Sequence, residues 1–522
     1  MADYDVIVVG AGHNGLAAAT VLAKEGLKVL SVEKQRYVGG MAGTTEYFKG
    51  FKHNVGAWAL MFFSQHLMEA LELERHGLEI IEPPTSYCTF SASGQTPLIF
   101  YSDAVKMEEH LRKDHGPDVL ESINRLIDLC NIFRAATARA AFKSPTSVGT
   151  LIDSAPSVEA KDAMRRFFFG SCMDLVREFF PDPGKHQAIQ GSLAGMAADG
   201  SGMGPYTPGS ALSLAYHLAP HGLAHMFRMT KGGMGMLSET MKRSLEEKGG
   251  EVRLGNRIKR ILVENGRAVG VWLANGEKIS ARVVLSNADA TATFVGLVGE
   301  DNLSSDFVGR VKRINYMNPY IQIHVTLREL PEFTGHLAFA NENNLRWNMA
   351  YYPSPEHLEQ CWEACKWGRI PEDPLVSYYI PSIFDDSLAP PSYHAATLFS
   401  QYYPVAAPRD QHRRLKEEMA DKMIDQMSKY APNLKDAIMD RVVFTPLHYE
   451  NMFGITGGDY CHGVMQPGQM FDFRPVVGWS SYETPVENLY LCGSACHPGP
   501  GVTALPGYNS AREVLKNWER KK

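Results

Sequence analysis

No run of about 18 apolar residues occurs in this 522-residue chain, so nothing in it is long enough to cross a bilayer as a helix. Cysteine is scarce. The eight present, Cys88, Cys130, Cys172, Cys361, Cys365, Cys461, Cys492 and Cys496, include no C-x-x-C pair, which excludes a disulfide framework, a zinc ribbon and a dithiol redox centre. Charge of one sign is not in excess either. Lys plus Arg number 52 against 58 Asp plus Glu, and the resulting −6 is too mild for a nucleic-acid partner. No export signal precedes the first strand, which starts almost at once at Asp5-Val6-Ile7-Val8-Val9. Reduced thiols and the missing signal point to the cytoplasm, with peripheral membrane contact left open.

What is present is folded and slightly apolar: 44% hydrophobic residues, 21% charged, and 23 Met, 24 Phe and 22 Tyr, outside the compositions of disordered chains. The length suggests two or three domains.

The first strand runs into Gly10-Ala11-Gly12-His13-Asn14-Gly15, then into small apolar residues, Leu16 to Ala23, suited to a helix packed closely on a sheet. A second strand, Lys28 to Val32, ends at Glu33, 18 residues past Gly15. A strand, a glycine turn, a helix, a strand and an acid in this order make a dinucleotide fingerprint. Gly10 makes the turn, Gly12 admits a pyrophosphate, Gly15 allows close helix packing, and Glu33 accepts from ribose hydroxyls. A second glycine cluster, Gly39-Gly40-Met41-Ala42-Gly43, continues along the pyrophosphate. No second G-x-G-x-x-G follows a strand, so a separate nicotinamide domain is not expected and FAD is favoured.

The middle of the chain returns to the same domain. Lys231-Gly232-Gly233-Met234 precedes an amphipathic helix over Leu237 to Lys248, and short strands at 251–254, 258–263, 268–273 and 278–286 form a meander with turns at Asn265-Gly266 and Asn275-Gly276. Near the end, Asn488 to Cys492 reads as a buried strand entering Gly493-Ser494, followed by His497-Pro498-Gly499-Pro500-Gly501-Val502-Thr503 and a closing helix.

These motifs, with Ser286-Asn287-Ala288-Asp289, the segment Phe453 to Gly463, Arg474-Pro475 and Tyr482-Glu483-Thr484-Pro485, resemble the phytoene desaturase-like FAD oxidoreductases of the carotenoid desaturase and isomerase type. The subgroup of pyridine nucleotide-disulfide oxidoreductase domain-containing protein 2 is the best match within that family. The resemblance implies an α/β fold: a Rossmann-like FAD-binding domain of the glutathione reductase/amine oxidase type, with an inserted mixed-sheet and helical substrate domain. The FAD domain would comprise 1–65, 228–300 and 485–522, and the substrate domain 66–227 and 301–484, with a helical cap at about 103–190. Gly12, Asn14, Gly15, Glu33, Gly40 and Met41 would line the pyrophosphate and ribose, Ile258 would meet the adenine, and Gly493, Ser494, Val502 and Thr503 would flank the ribityl chain and isoalloxazine. His13, Lys34, Ala57, Trp58, Arg257, Asn287 and Gly501 complete the cofactor set, beside Gly10. Met41 departs from the Arg found in many relatives, and Pro500 interrupts a run that is often all glycine.

The substrate region is less legible. Val119, Ile123, Leu126, Ile127, Cys130 and Phe133 recur at helical spacing, as do Leu415, Met419, Met423 and Met427, and both sets read as core faces. Segments 320–327 and 375–380 read as strands. Trp58 to Phe63 is either a pocket wall or a buried helix start. Residues 200–227 hold no Asp, Glu, Lys or Arg and suit an oily cavity, a membrane lip or a buried loop. His217, His221 and His225 have metal-like spacing, but Pro220 and Gly222 break any helix there, and ordinary buried or pocket histidines are expected rather than a metal site. Lys106, Arg112, Lys113, Arg125, Arg134, Arg139 and Lys143 read as a solvated face or an anionic-lipid contact.

A flavin takes up hydride itself, so the protein must orient the substrate and supply any base. His53 and His462 are the candidate bases, with Tyr482 and Arg474 as candidates to polarise a substrate oxygen. The leading reading is an FAD-dependent dehydrogenase or desaturase that removes hydride from an apolar, isoprenoid or alicyclic, small molecule, with oxygen, a quinone or another carrier as acceptor. A flavin amine oxidase and a FAD-binding interaction protein with little turnover stay open, as does an oligomeric state.

Overall fold

The computed structural model describes residues 2–92, 94–137, 141–218, 223–224 and 227–520. His221, His225, Pro220, Gly222 and Arg139, each singled out above, lie outside the described residues. All eight cysteines are buried free thiols.

At the centre of one sheet is β1 (Tyr4–Val9), paired in parallel with β2 (Val29–Val32) on one side and with Lys278–Ser286 on the other. Glu251–Arg253 extends the sheet beyond β2, and Leu489–Leu491 runs parallel beside Val284, Leu285 and Ser286. The start, middle and end of the chain thus meet in one sheet. β1 and β2 are buried almost throughout, without alternation, because both faces are covered. Val6, Val8 and Val29 pack against α1 (His13–Lys24) and the helices Gly235–Glu247 and Leu505–Arg520. Ile7, Val9, Leu30 and Val32 pack on the antiparallel meander of Ile258–Glu264 and Arg267–Leu273. That second core also takes in Phe307 and Val311 from Ser305–Val311, and Val476 and Tyr482, so the packing of this half reaches past residues 300 and 485 on both sides.

The alanines of α1 bring it close to the last helix. A Cβ on Gly507 would lie 1.9 Å from the carbonyl oxygen of Asn14, so only glycine permits that crossing.

A second seven-stranded sheet runs in the order Ile438–Phe444, Tyr320–Leu327, His394–Gln401, Val376–Tyr379, Asn348–Tyr351, Thr85–Phe90, Leu98–Tyr101. It is mixed, since Asn348–Tyr351 and Thr85–Phe90 are parallel while the other pairs are antiparallel. Leu415, Met419, Met423 and Met427 of the helix His412–Ser428 pack against this sheet. Helices between Ala104 and Leu218 form a third core, to which Pro117–Thr137 contributes Val119, Ile123, Leu126, Cys130 and Phe133, with Ile127 half-buried at its edge. Trp58 to Phe63 is not a helix start: it runs as bends between the strand Phe51–Asn54 and the helix Gln65–Ala70.

Candidate functional site

A cavity of about 1090 Å³ extends from Glu33 and Arg257, past the glycine turn, to Trp58, Asp199 and Tyr352 in the second half of the molecule. Its first part is built by local geometry. β1 ends at Gly10, whose φ of +94° suits glycine, and Gly12 is the extended residue before α1. A Cβ at Gly12 would lie 2.7 Å from Asn287 Nδ2, and one at Gly15 2.3 Å from the Gly10 carbonyl oxygen. No side chain among the described residues caps the N-terminus of α1, leaving its positive end directed at the cavity. Glu33 is fixed by its own acceptors: Oε2 takes the Ala11 N–H at 2.9 Å and Oε1 the Gln35 N–H at 2.8 Å. Burial pushes its carboxyl above the usual range, and those two amides oppose the shift.

Two buried polar atoms at this end, His13 Nε2 and Asn14 Oδ1, have no hydrogen-bond partner among the described residues. Stranded donors and acceptors beside a bare helix end and a Cβ-free turn are what a pyrophosphate-containing ligand would satisfy. The residues present therefore fit FAD.

Gly10, Gly12, His13, Asn14, Glu33, Lys34, Gly40, Met41, Ala57, Trp58, Arg257, Ile258, Asn287, Ser494, Gly501 and Val502 all line this cavity. Gly15, Gly493 and Thr503 do not. Gly15 and Gly493 instead allow close backbone approach, since a Cβ on Gly493 would lie 2.5 Å from the Asn287 carbonyl oxygen, and the Thr503 hydroxyl accepts the Leu505 N–H.

Of the four catalytic candidates only His462 reaches the cavity. His53 is buried, with Nε2 3.0 Å from the Val325 carbonyl and its ring among Tyr47, Phe48 and His324. The Tyr482 hydroxyl donates to the His497 carbonyl at 3.0 Å and accepts from Asn509. Arg474 is buried and donates to the carbonyls of Ser494, Gly463, Gln469 and Cys461. These three side chains are spent on the protein's own backbone and neighbours, so a role at the substrate does not follow for them.

Sequence reasoning singled out only His217 among the polar groups of the far end. Asp199, Tyr216, His217, Tyr352, Gln401 and Tyr460 line it, with Trp58 stacked on Tyr379 at 4.6 Å and meeting Phe227 at 4.7 Å. Asp199 was legible only as the last acid before the uncharged stretch, and no spacing rule ties it to Tyr460.

Burial holds the imidazoles of His13 and His462 down at about 4, as it does those of His53 and His115. Each takes a proton on unfolding below about pH 6.5 that it refuses when folded, so stability falls as pH drops from about 6.5 toward 4. Asp459, pushed up to about 6 by burial, works in the opposite sense together with Glu33 and Glu359, while burial lowers the imidazoles of His110, His324, His394 and His448 as well. The denaturation midpoint is expected to be clearly lower at pH 4.5 than at pH 7; an unchanged midpoint would contradict neutral buried imidazoles.

Comparison with known proteins agrees with this geometry. The model of the family described as flavin containing amine oxidoreductase matches residues 15–514. Over 551 aligned residues the chain is 29% identical to mouse pyridine nucleotide-disulfide oxidoreductase domain-containing protein 2, covering 99% of this chain and 94% of that protein. It is 26% identical to the chloroplastic prolycopene isomerase of Daucus carota over 96% of this chain and 78% of that one. Among solved structures, an oxidoreductase from Methanosarcina mazei superposes with a TM-score of 0.62 at 15% identity, covering 98% of this chain and 99% of that one.

Proposed function

The chain belongs to the flavin-containing amine oxidoreductase family and is an FAD-dependent oxidoreductase, and from that premise we propose that it oxidises an apolar small molecule at a C–H bond. When bound, FAD supplies the hydride acceptor, at N5 of its isoalloxazine. In this reading Glu33 holds the ribose hydroxyls, Gly12 and the N-terminus of α1 the pyrophosphate, and the Ile258 backbone the adenine. The Gly493–Val502 segment then flanks the isoalloxazine.

One observation supports the substrate class above the others. The far end of the cavity is walled by Trp58, Tyr87, Phe227, Phe399, Met196 and Met465, which take an apolar skeleton out of water and orient it by shape. The likeness to a prolycopene isomerase, named for an isoprenoid, points the same way. We assign the substrate-binding role to 66–227 and 301–484, with 301–311 and 476–484 packed on the cofactor half. Oxygen or a quinone serves as the acceptor in this reading, and peripheral membrane contact gives access to a lipid-dissolved substrate.

Anaerobic addition of apolar isoprenoids or alicyclics to the purified yellow protein should bleach the flavin band. Bleaching by amines alone would favour the amine-oxidase alternative, and no bleaching by any of them would favour a flavin-binding protein with little turnover. The cofactor assignment has its own check. Glu33→Ala leaves the Ala11 and Gln35 amides unpaired in a buried site, at about 1–3 kcal/mol each, and removes the ribose acceptor. The flavin-to-protein absorbance ratio of that variant is expected to fall about tenfold or more; a normal ratio contradicts the assignment.

A further inference from the structure

One pair in the cavity wall lies outside the residues assigned above to the cofactor. Asp199 follows the helix Gln187–Ala198, and His217 lies in the helix Ala211–Leu218. Asp199 Oδ2 is 3.3 Å from His217 Nε2, and Asp199 Oδ1 accepts from the Tyr460 hydroxyl at 2.6 Å. The other ring nitrogen, Nδ1, is 2.8 Å from the Ser213 carbonyl oxygen. The imidazole is thus held between two acceptors, a backbone carbonyl and the Asp199 carboxylate.

The pair's consequence for a ligand follows from its acceptors and its exposure. The carboxylate keeps acceptor capacity, since a carboxylate has about four lone-pair sites and not all are filled. Burial raises the Asp199 pKa, but His217, Tyr460 and Gln401 outweigh it and hold the group below the usual carboxylate range. The Asp199 side chain is 36% exposed while that of His217 is 7% exposed, so the carboxylate is the member a ligand touches.

The pair also sits beside the segment assigned to the isoalloxazine. Next to His217, Tyr216 donates to the Pro500 carbonyl at 2.7 Å, and the Phe62 ring lies 5.9 Å from His217 and against Gly501. A neutral donor held by Asp199 would fix an apolar skeleton near that segment.

We propose that Asp199 anchors a hydroxyl group on an otherwise apolar substrate, and so selects alcohols of the isoprenoid or alicyclic class over plain hydrocarbons. This rests on the apolar-cavity reading above. A hydrogen bond to a charged acceptor contributes about tenfold or more in affinity.

Flavin-loaded enzyme titrated with limonene, perillyl alcohol and perillylamine, followed by the flavin difference spectrum, compares one skeleton bearing no donor, a hydroxyl or an ammonium. Perillyl alcohol is expected to bind about tenfold or more tighter than limonene, and the amine arm shows whether an ammonium takes the same place. Asp199→Ala should bring the alcohol to the affinity of limonene and leave limonene unchanged. Equal binding of alcohol and limonene by the wild type, tightest binding of the amine, or an equal loss of both ligands in Asp199→Ala overturns the proposal alone. If no ligand perturbs the flavin, the apolar-cavity reading falls and takes the proposal with it. Should Asp199→Ala fail to hold flavin, Tyr460→Phe removes one donor to Asp199 and keeps the carboxylate; the alcohol preference should persist there, and its loss overturns the proposal.

Discussion

Gly15→Val is expected to yield a chain without bound flavin, at about a tenth of the wild-type flavin-to-protein ratio or less. Gly15 lies in the helical region, so no backbone strain is involved. The effect is steric: a Cβ would stand 2.3 Å from the Gly10 carbonyl oxygen and 3.2 Å from Asn287 side-chain atoms. To admit it, α1 must move away from the glycine turn, which opens the bare helix end from the turn and parts Asn287 from Gly12. Gly26→Ala is the control. Gly26 has a φ of +81° with nothing within 4 Å of its Cβ position, so the change costs about 1 kcal/mol of strain and leaves the site intact. Absorbance near 450 nm against 280 nm separates the two variants; normal flavin in Gly15→Val would contradict the tight-turn account.

Arg474→Lys should lower stability by about 3–5 kcal/mol, seen as a large drop in the denaturant midpoint. The guanidinium gathers four backbone carbonyls, with Ser494 reached from both Nε, at 3.2 Å, and Nη2, at 2.8 Å, and Gly463 from Nη1 at 2.9 Å. A lysine ammonium is a single point and cannot span that fork. At least one carbonyl and a displaced cation would then stay buried without partners. Burial pulls the Arg474 pKa down, opposed by Cys461 and Asp459 nearby, so the group is held at some cost and only by full pairing. A variant of normal stability that had lost turnover would restore Arg474 to the catalytic set.

How far the sequence could be read follows contact range. The fingerprint was legible because strand, turn, helix and acid fall within 33 residues and each has a distinct residue type. The meander was legible for the same reason, its turns marked by Asn-Gly. The second sheet was only partly so: Tyr320–Leu327 shows as an apolar run, but nothing local says that Thr85–Phe90 lies beside Asn348–Tyr351. The same limit hid the Asp199 and Tyr460 contact, which joins residues 261 apart. Arg474 misled in another way. An arginine shortly after a glycine-rich segment reads as a ligand for substrate, and only its burial shows that the carbonyls of Cys461, Gly463, Gln469 and Ser494 take up its donors.

The order in which the sheet is assembled has a consequence for biosynthesis. Strand Leu489–Leu491 and the helix Leu505–Arg520 are synthesised after the whole of the substrate half, yet they complete the sheet that β1 begins. The glycine turn is thus made long before the helix that packs on it. A chain cut short before residue 489 is expected to be free of flavin however much of the substrate half it contains.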